Sequence, residues 1–418
     1  MIAFATKVNF ITMLTGTSHE KLQVFHRWSA LVMYITSLVH TFPFVVQAFQ
    51  LDEMEIQWKT NWYWTGVAAL VPQTYLVFLS WGLFRNKYYE TFKKLHFLAA
   101  ALFMVFLFIH CCFRLTSWDY FAATAAIYFL AWFFRFFRSL YNTGLGVPAS
   151  IEVLPDGRTL KLTVLTPSRV KWSPGQHVFL RFLNSGIHVF SSHPFTISSL
   201  SSDGAMEFVF NIHGGVTRKL AAMAEGKASV STRVIVDGPY GGVPSLEGYD
   251  HVYLLAGGTG VSLTLPLLSN LVKAKGKSKS VEFVVAVKKR ETATWIEDQV
   301  SNKHMDNLTR RIHITDPEEQ SGMPKLLKGG GSENSSLSEK GKKSTGSDSE
   351  VQLISGRPNL PSLIHEAHRT QSGKTAVIAC GPESFLYDVR NAVAEAQLVL
   401  ADGYGACTDL FLHTETYK

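Results

Sequence analysis

The sequence predicts a membrane-embedded helical bundle, followed by a soluble part made of a small antiparallel barrel and a doubly wound α/β domain. Three observations lead to this prediction. Apolar residues are concentrated in the first third of the 418 residues, short alternating strands broken by Pro and Gly follow, and strands alternating with helices complete the chain. We place the domains at 1–140, 141–243 and 244–418, with a flexible insertion at 328–350 that is rich in Gly, Ser, Lys and Glu.

Composition excludes several classes of protein. With 46% hydrophobic and 17% charged residues, the chain is neither disordered nor purely soluble. The formal charge of +7 requires no nucleic-acid partner, because basic residues at membrane-facing ends and around phosphate groups account for it. The four cysteines show neither a disulfide framework nor zinc-ligand spacing, so we expect the soluble part in a reducing compartment.

Four stretches are long and apolar enough to be predicted as membrane-spanning helices. They are Leu22–Phe49, Trp62–Phe84, Leu95–Phe113 and Tyr120–Phe137. The connection at 85–94 is basic and the one after Phe49 is acidic, so the positive-inside rule predicts that the basic loop, and everything after Leu140, is cytosolic. The first residues resemble the end of an earlier helix rather than a cleavable signal peptide.

Four histidines lie inside these stretches, where ionisable residues are rare. His26 and His40 are fourteen residues apart on the first helix, and His96 and His110 are fourteen apart on the third. Fourteen residues advance about 21 Å and fall about 40° short of four turns, so each pair lies on one helix face. Because the two helices run in the same direction, His26 is predicted to face His96, and His40 to face His110. Two stacked bis-histidine sites of this kind suit iron porphyrins.

Two alternatives remain open for these histidines. They could serve only in hydrogen bonds between helices or lie near the lipid headgroups, although the repeated spacing argues against this. Zinc fits less well than haem, because two histidines leave a structural zinc shell incomplete.

In the soluble part, alternating and continuous apolar runs predict eight strands. The barrel strands are Thr159–Leu165, His177–Phe182, Met206–His213 and Val230–Val236, and the sheet strands are His251–Ala256, Val281–Val287, Arg311–Thr315 and Thr375–Cys380.

A glycine-rich turn, Ala256-Gly257-Gly258-Thr259-Gly260-Val261-Ser262, follows the first strand of the predicted sheet and precedes an apolar helical run. Glycines let the backbone approach a pyrophosphate, and the new helix presents its amides to the anion. Alone, such a turn is a weak signal. Two Gly-Pro segments, Asp237–Gly242 and Cys380–Glu383, are predicted as turns at the same sheet edge or at the domain interface, and they strengthen the signal.

The predicted barrel carries two polar segments, His193–Ser199 and Asn211–Arg218. They supply an aromatic ring, hydroxyls, glycine amides and a cation, which are the groups that a flavin dinucleotide needs. An ordinary strand with polar ends shows the same features singly, so the prediction depends on the order of the segments along the chain.

The paired histidines and the HPFT, GGVT, DGPYGG, AGGTGVS and CGPES segments, in that order, resemble the fungal-type ferric reductase branch of the transmembrane NADPH oxidase family. The resemblance covers nearly the whole chain except the insertion. It implies a helical bundle with two b-type haems and a ferredoxin-NADP reductase-like module with an FAD barrel and an NADPH domain. Family members usually have further helices before the first histidine helix.

The resemblance also implies roles for individual residues. It assigns the haem irons to His26, His40, His96 and His110. It assigns FAD to His193, Pro194, Phe195, Thr196, Gly214, Gly215 and Thr217, and NADPH to Gly238, Pro239, Gly257, Gly258, Gly260, Cys380 and Gly381. Cys380 is expected near the nicotinamide, and Arg290 and Arg357 are candidates for the 2′-phosphate. No protein nucleophile or acid–base pair is required, because the cofactors carry the redox chemistry.

The implied activity is that of an NADPH-dependent ferric-chelate reductase. Electrons would pass from cytosolic NADPH through FAD and two haems to extracellular or lumenal ferric or cupric ions. The expected location is the plasma membrane, with iron-uptake proteins as downstream partners and no nucleic acid. A superoxide-generating NADPH oxidase with the same cofactors is the nearest alternative, and a truncated haem-binding membrane protein without electron transfer is the second.

Overall fold

The structure is a computed structural model that describes residues 2–184, 186, 191–274, 278–317 and 351–416. The predicted insertion at 328–350 lies outside the described residues. The chain divides into two compact units, Met1–Arg138 and Ser139–Lys418. The first unit is helical, and the second contains two six-stranded sheets.

The helices of the first unit begin with short ones and continue with long apolar ones. They are α1 (Ile2–Ala5), α2 (Phe10–Thr15), α3 (His19–Gln50), α4 (Met54–Trp58), α5 (Asn61–Phe78), α6 (Gly82–Lys87), α7 (Tyr89–Cys111) and α8 (Ser117–Thr143), the last of which contains the boundary between the units. Asn9 begins α2 by accepting a hydrogen bond from the Thr12 amide at 2.8 Å, and Gly16 ends it in the left-handed conformation. Many large apolar side chains of α3, α7 and α8 are exposed, as expected for helices that lie in lipid.

Three segments of the described chain are long and apolar enough to cross a membrane: His19–Gln50, Thr91–Cys111 and Arg114–Thr143. They coincide with the first, third and fourth predicted spans. The second prediction, a continuous span over Trp62–Phe84, is wrong, because the helix is interrupted between Phe78 and Gly82. The remaining helix α5 has 18 residues and includes the buried Gln73, so it is shorter and more polar than a typical span.

The second unit begins with an antiparallel sheet. Its strands are β1 (Val147–Val153), β2 (Thr159–Leu165), β3 (His177–Phe182), β4 (His193–Thr196), β5 (Ala205–Asn211) and β6 (Val230–Tyr240), in the order β4-β3-β6-β1-β2-β5. The two edges meet, because the Ser198 amide donates to the Glu207 carbonyl at 2.8 Å and the ring centroids of Phe195 and Phe210 are 4.5 Å apart. The sheet is therefore a nearly closed barrel. Helix α9 (Val216–Ala224) packs against its core.

A parallel sheet follows. Its strands are β7 (His251–Gly257), β8 (Ser280–Val287), β9 (Leu308–Ile314), β10 (Gln352–Ser355), β11 (Gly373–Gly381) and β12 (Cys407–Thr416), in the order β10-β9-β8-β7-β11-β12. Its helices are α10 (Val261–Lys273), α11 (Arg290–Ser301), α12 (Leu360–Thr370) and α13 (Glu383–Ala401). Helices α10 and α11 pack on one face and α12 and α13 on the other, each over an apolar core. This confirms the predicted doubly wound domain.

The structure corrects the predicted elements in two ways. Strands β1, β4, β10 and β12 are additions that the sequence pattern did not predict. The prediction that Asp237–Gly242 is a turn is wrong for the residues up to Tyr240, because β6 extends to Tyr240 and includes Gly238 and Pro239. Glycine suits position 238 because its φ is 152° and a Cβ would come 2.8 Å from Cγ1 of Val178. The pairing of β3 with β6 shifts register at this point.

Candidate functional site

The strand order of the parallel sheet reverses between β7 and β11, which is where doubly wound folds bind dinucleotides. The turn after β7 carries Gly257, Gly258 and Gly260, and β11 ends in Cys380 and Gly381. The structure therefore brings five of the residues predicted for NADPH to one crevice. Gly238 and Pro239 belong to the barrel strand β6 instead.

The main chain of the glycine-rich turn closely approaches the end of β11 and the residue after it. A Cβ on Gly260 would collide with the carbonyl of Cys380, whose carbon atom would be 2.6 Å away. A Cβ on Gly257 would lie 2.8 Å from Cδ of Pro382. Gly258 has a φ of 56°, in the region that favours glycine. These glycines therefore allow the turns to pack closely, in addition to leaving room for a ligand backbone.

Cys380 is a buried thiol at the end of β11. Burial, together with the negative charge of Glu415 on the neighbouring strand β12, raises the pKa of Cys380 to about 12. The thiol is therefore protonated at neutral pH, so Cys380 offers a neutral, soft surface in the crevice rather than a nucleophile.

Polar contacts join the barrel to the sheet domain. The Asn211 amide donates to the Thr259 hydroxyl at 3.3 Å, so the end of β5 touches the glycine-rich turn. The Thr292 hydroxyl donates to Asp156 at 3.0 Å. Burial alone would raise the pKa of Asp156, but hydrogen bonds from Thr159, the Arg158 amide and Thr292 hold it below its usual value. The predicted flavin and nucleotide segments thus adjoin each other.

The predicted flavin residues on β4 have different surroundings. Nε2 of His193 lies 3.1 Å from the Ser191 hydroxyl, and Pro194 is exposed. Phe195 is half-buried and packs against phenylalanines of the barrel core, so this ring also has a structural role. Thr196 is half-buried at the end of the strand.

The predicted phosphate segment begins helix α9. Gly215 has a φ of 65°, and a Cβ on Gly214 would meet nothing within 4 Å. The Thr217 hydroxyl accepts from the His213 amide at 2.8 Å and donates to the Gly214 carbonyl at 3.3 Å. The helix therefore starts in an open, ordered turn, which is the form of helix N-terminus that binds phosphates.

Arg290 and Arg357 lie at the carboxyl edge of the parallel sheet. Arg290 is the exposed first residue of α11, which follows β8, and Arg357 is exposed two residues after the end of β10. Strand β9 lies between these two strands. The structure brings both residues to the edge that carries the glycine-rich turn, and their contact with a phosphate stays a prediction.

The membrane histidines lie in two pairs. The ring centroids of His26 and His96 are 6.4 Å apart, and those of His40 and His110 are 6.2 Å apart. His40 is exposed and the other three are half-buried. The described residues contain no group of three or more His, Cys, Asp or Glu that could hold a metal ion, so each pair offers two ligands.

Three residues near these pairs were missed by the sequence reasoning. The Trp62 carbonyl lies 2.5 Å from Nδ1 of His110, Gly66 faces the same imidazole, and the Ser80 hydroxyl lies 3.4 Å from Nδ1 of His96. A main-chain carbonyl leaves no signal in the sequence. Gly66, a lone glycine in an apolar helix, is a signal that could have been followed.

Three family models match successive parts of the chain. They are described as the ferric reductase like transmembrane component at residues 1–107, an FAD-binding domain at 146–244 and the ferric reductase NAD binding domain at 249–394. The chain belongs to the ferric reductase family. The helical unit and the two sheet domains of this chain thus correspond to the parts matched by a transmembrane, an FAD-binding and an NAD-binding family model.

Named relatives of the chain come from fungi. The chain is 36% identical over 329 residues to the "Probable cell surface ferric reductase kap2" of Aspergillus oryzae, covering 72% of this chain and 43% of that protein. It is 30% identical over 420 residues to the "Ferric/cupric reductase transmembrane component 2" of Saccharomyces cerevisiae, covering 95% of this chain and 57% of that protein. The chain therefore spans about half the length of the curated relatives it matches.

Among solved structures, a ferredoxin NADP+ reductase from Neisseria gonorrhoeae with bound FAD and NADP aligns with 65% of this chain and 98% of its own. The TM-score is 0.44 and the sequence identity 13%.

Proposed function

We propose that this chain is the electron-transferring part of a transmembrane metalloreductase that oxidises cytosolic NADPH and reduces extracellular or lumenal ferric or cupric ions. The two histidine pairs between α3 and α7 support this most strongly. One pair lies in the first half of these helices and the other in the second half, and the same chain contains FAD-binding and NAD-binding domains. Two metal-ligand sites separated along the helices are what electron transfer across a bilayer requires.

The histidine pairs fit haem. The ring centroids are 6.4 and 6.2 Å apart. A metal bound between two imidazoles would need about this separation, because each metal–nitrogen bond is about 2 Å and each ring nitrogen lies roughly 1 Å from its ring centroid. His40 and His110 also line a cavity with the aromatic rings of Phe44, Trp62 and Phe103, which suits a flat apolar macrocycle. His26 and His96 would hold one b-type haem, and His40 and His110 the other. When bound, such irons carry single electrons.

The soluble domains fit FAD and NADPH. The open turn at Gly214 and Gly215 would place the first amides of α9 against a flavin phosphate, with His193, Pro194, Phe195, Thr196 and Thr217 around it. The crevice between β7 and β11 would take the nicotinamide nucleotide. When bound, FAD accepts a hydride and releases single electrons. The protein positions the reactants and keeps Cys380 protonated, so no covalent bond to a thiol forms.

The proposed orientation depends on charge. Arg85 and Lys87 lie in the last turn of α6, and Lys93 and Lys94 lie near the start of α7, whereas the segment after α3 is acidic. Basic loops stay on the cytosolic side. The nucleotide domains would then be cytosolic and the metal ion would be reduced on the other side. A plasma-membrane location and downstream iron-uptake proteins are parts of this proposal.

The test is reduction of a membrane-impermeant ferric chelate by sealed membranes that contain the full chain, with NADPH on the cytosolic side. Ferrous iron is read with an impermeant indicator, and superoxide is measured in parallel with a superoxide dismutase control. We expect ferric reduction that resists superoxide dismutase, with cupric ions accepted as well. Superoxide that accounts for all the NADPH oxidised would replace the metalloreductase with an oxidase, and NADPH oxidation with neither product would contradict both.

A further inference from the structure

The segment Asn61–Trp81, which is α5 and the turn after it, contains no histidine. It nevertheless contacts both histidines of α7. The Trp62 carbonyl lies 2.5 Å from Nδ1 of His110, and the Ser80 hydroxyl lies 3.4 Å from Nδ1 of His96. The two contacts are at opposite ends of the segment, one for each predicted haem.

The contact at Trp62 fixes the tautomer of His110. A carbonyl oxygen can only accept a hydrogen bond, so Nδ1 of His110 must carry the proton. In a neutral imidazole the lone pair is then on Nε2, which is the atom left to bind a metal.

Gly66 provides the space for that imidazole. It lies four residues after Trp62, on the same face of α5, and a Cβ there would be 2.7 Å from both Nδ1 and Cε1 of His110. Glycine in a helix interior costs about 1 kcal/mol relative to alanine. Gly66 therefore makes α5 less stable than an alanine would. All the atoms that a Cβ at this position would meet belong to the His110 ring, so the absence of a side chain leaves room for that ring.

The contact at Ser80 selects the same tautomer by another route. The Ser80 hydroxyl donates its hydrogen to the Leu76 carbonyl at 2.5 Å, so its oxygen is left to accept from His96. Nδ1 of His96 then carries the proton and Nε2 the lone pair. Ser80 lies in the interruption between α5 and α6.

We propose that the histidine-free segment Asn61–Trp81 positions both iron ligands of α7, with Trp62 and Gly66 setting His110 and with Ser80 setting His96. This inference rests on the proposed haem function. Outer-shell partners of this kind orient a ligating imidazole and raise its basicity. The carbonyl contact is shorter than the hydroxyl contact, so the segment should hold His110 more firmly than His96.

The first experiment counts haems in the purified full chain by absorbance after conversion to the pyridine complex, relative to protein. Wild-type protein without haem would contradict the proposed function itself. If the wild type holds two haems, Gly66→Ala should hold one, because the new methyl displaces His110 while the helix becomes intrinsically more stable. The control is Ala68→Val, which also adds bulk to α5 but is about 200° around the helix from Gly66 and does not line the cavity; it should keep two haems.

The second experiment keeps the inference falsifiable if Gly66→Ala misfolds. Ser80→Ala removes the acceptor from His96, makes the imidazole less basic and should shift the midpoint potential of one haem upward, with both haems still bound. Ser80→Thr keeps the hydroxyl and should restore the wild-type potential. Redox titration and the low-spin electron paramagnetic resonance signals report each haem separately. Two haems with unchanged signals in Gly66→Ala, or unchanged potentials in Ser80→Ala, would each overturn the proposal.

Discussion

The two units bring their candidate residues together in different ways. In the second unit main chain meets main chain, since the turns after β7 and β11 touch at Gly260 and the carbonyl of Cys380. In the first unit side chains meet across helices, as at His26 and His96, whose ring centroids are 6.4 Å apart. Substituting one histidine removes one ligand and can leave the other side chains of the site in place. Where two main chains are in contact, an added side chain must displace a backbone, because no side chain is there to move aside. Substitutions should therefore have wider effects in the second unit.

The largest effect is expected from Gly260→Ala. The added Cβ would collide with the Cys380 carbonyl, and neither backbone can yield without moving a strand end. Overpacking of this kind costs about 1–3 kcal/mol and sometimes more. We expect a lower unfolding temperature of the second unit and loss of NADPH binding, measured by NADPH titration and by FAD release on heating. Reduction of both the ferric chelate and any soluble dye should disappear together.

The matched control is Gly248→Ala. Gly248 is exposed in the same domain, and a Cβ there would meet nothing within 4 Å. This variant should keep wild-type NADPH affinity. Equal behaviour of the two variants would show that the contact at Gly260 is not the constraint described above.

A narrower effect is expected from His40→Leu in the first unit. His40 lies fourteen residues beyond His26 on a helix proposed to run outward, so it would hold the haem that meets the acceptor. Reduction of the impermeant ferric chelate should fall to background. FAD content and NADPH-dependent reduction of a dye that takes electrons from the soluble domains should persist in the same membranes.

The same variant can contradict the proposed path. Retained ferric reduction would place the electron exit elsewhere. Loss of dye reduction with FAD still bound would mean that electron transfer within the second unit depends on His40.

Regular periodic patterns made parts of both units predictable from the sequence. The barrel strand at Thr159–Leu165 was predicted to the residue, because its core-facing positions alternate with more exposed ones over part of its length. The pairing of the histidines follows from a spacing that any regular helix must obey, and the structure places the rings as that spacing predicts.

Other features had no such local signal. Gly238 and Pro239 are turn residues by type, yet they lie in β6. A glycine is needed at 238 because Val178 of the neighbouring β3 leaves no room for a side chain, a contact that no local sequence pattern reveals. Strand β12 carries Thr, Asp, His and Glu among its apolar residues, and only its parallel pairing with β11 makes it a strand. The Trp62 carbonyl is invisible in a sequence, since every residue has one.

A moderate effect is expected from the double variant Arg290→Ala with Arg357→Ala. Both residues lie on the carboxyl edge of the parallel sheet, where each could bind the phosphate that distinguishes NADPH from NADH. Hydrogen bonds to charged groups contribute about 1.5–3 kcal/mol, so catalytic efficiency with NADPH should fall about tenfold or more. Efficiency with NADH should hardly change, as measured by dye reduction.

Arg369→Ala is the control for that variant. Arg369 is exposed in the last turn of α12, ahead of β11 and therefore near the opposite edge of the same sheet. It should leave the preference for NADPH unaltered. A wild type with equal efficiency for both nucleotides would remove the basis of the prediction.

The smallest effect is expected where the barrel and the sheet domain share an ion pair. Lys273, at the end of α10, lies 2.7 Å from Asp203, and both side chains are about half exposed, at 54% and 45%. Burial would raise the pKa of Asp203, but the hydrogen bond from Lys273, the Leu200 amide and the charge of Lys273 hold it below its usual value. A carboxylate whose pKa is depressed by folding stabilises the folded state above its unfolded pKa of about 4, and this stabilisation is lost as the pH falls through the folded value.

Because the pair is exposed to solvent, Lys273→Ala should cost less than about 1 kcal/mol near pH 7. The difference from wild type should shrink below pH 4, read as the FAD-release temperature of the full chain at several pH values. Lys227→Ala, an exposed lysine on the barrel, is the control and should show no difference at any pH. A Lys273→Ala deficit that is as large at pH 3 as at pH 7 would assign the effect to lost packing of the lysine stem rather than to the charge on Asp203.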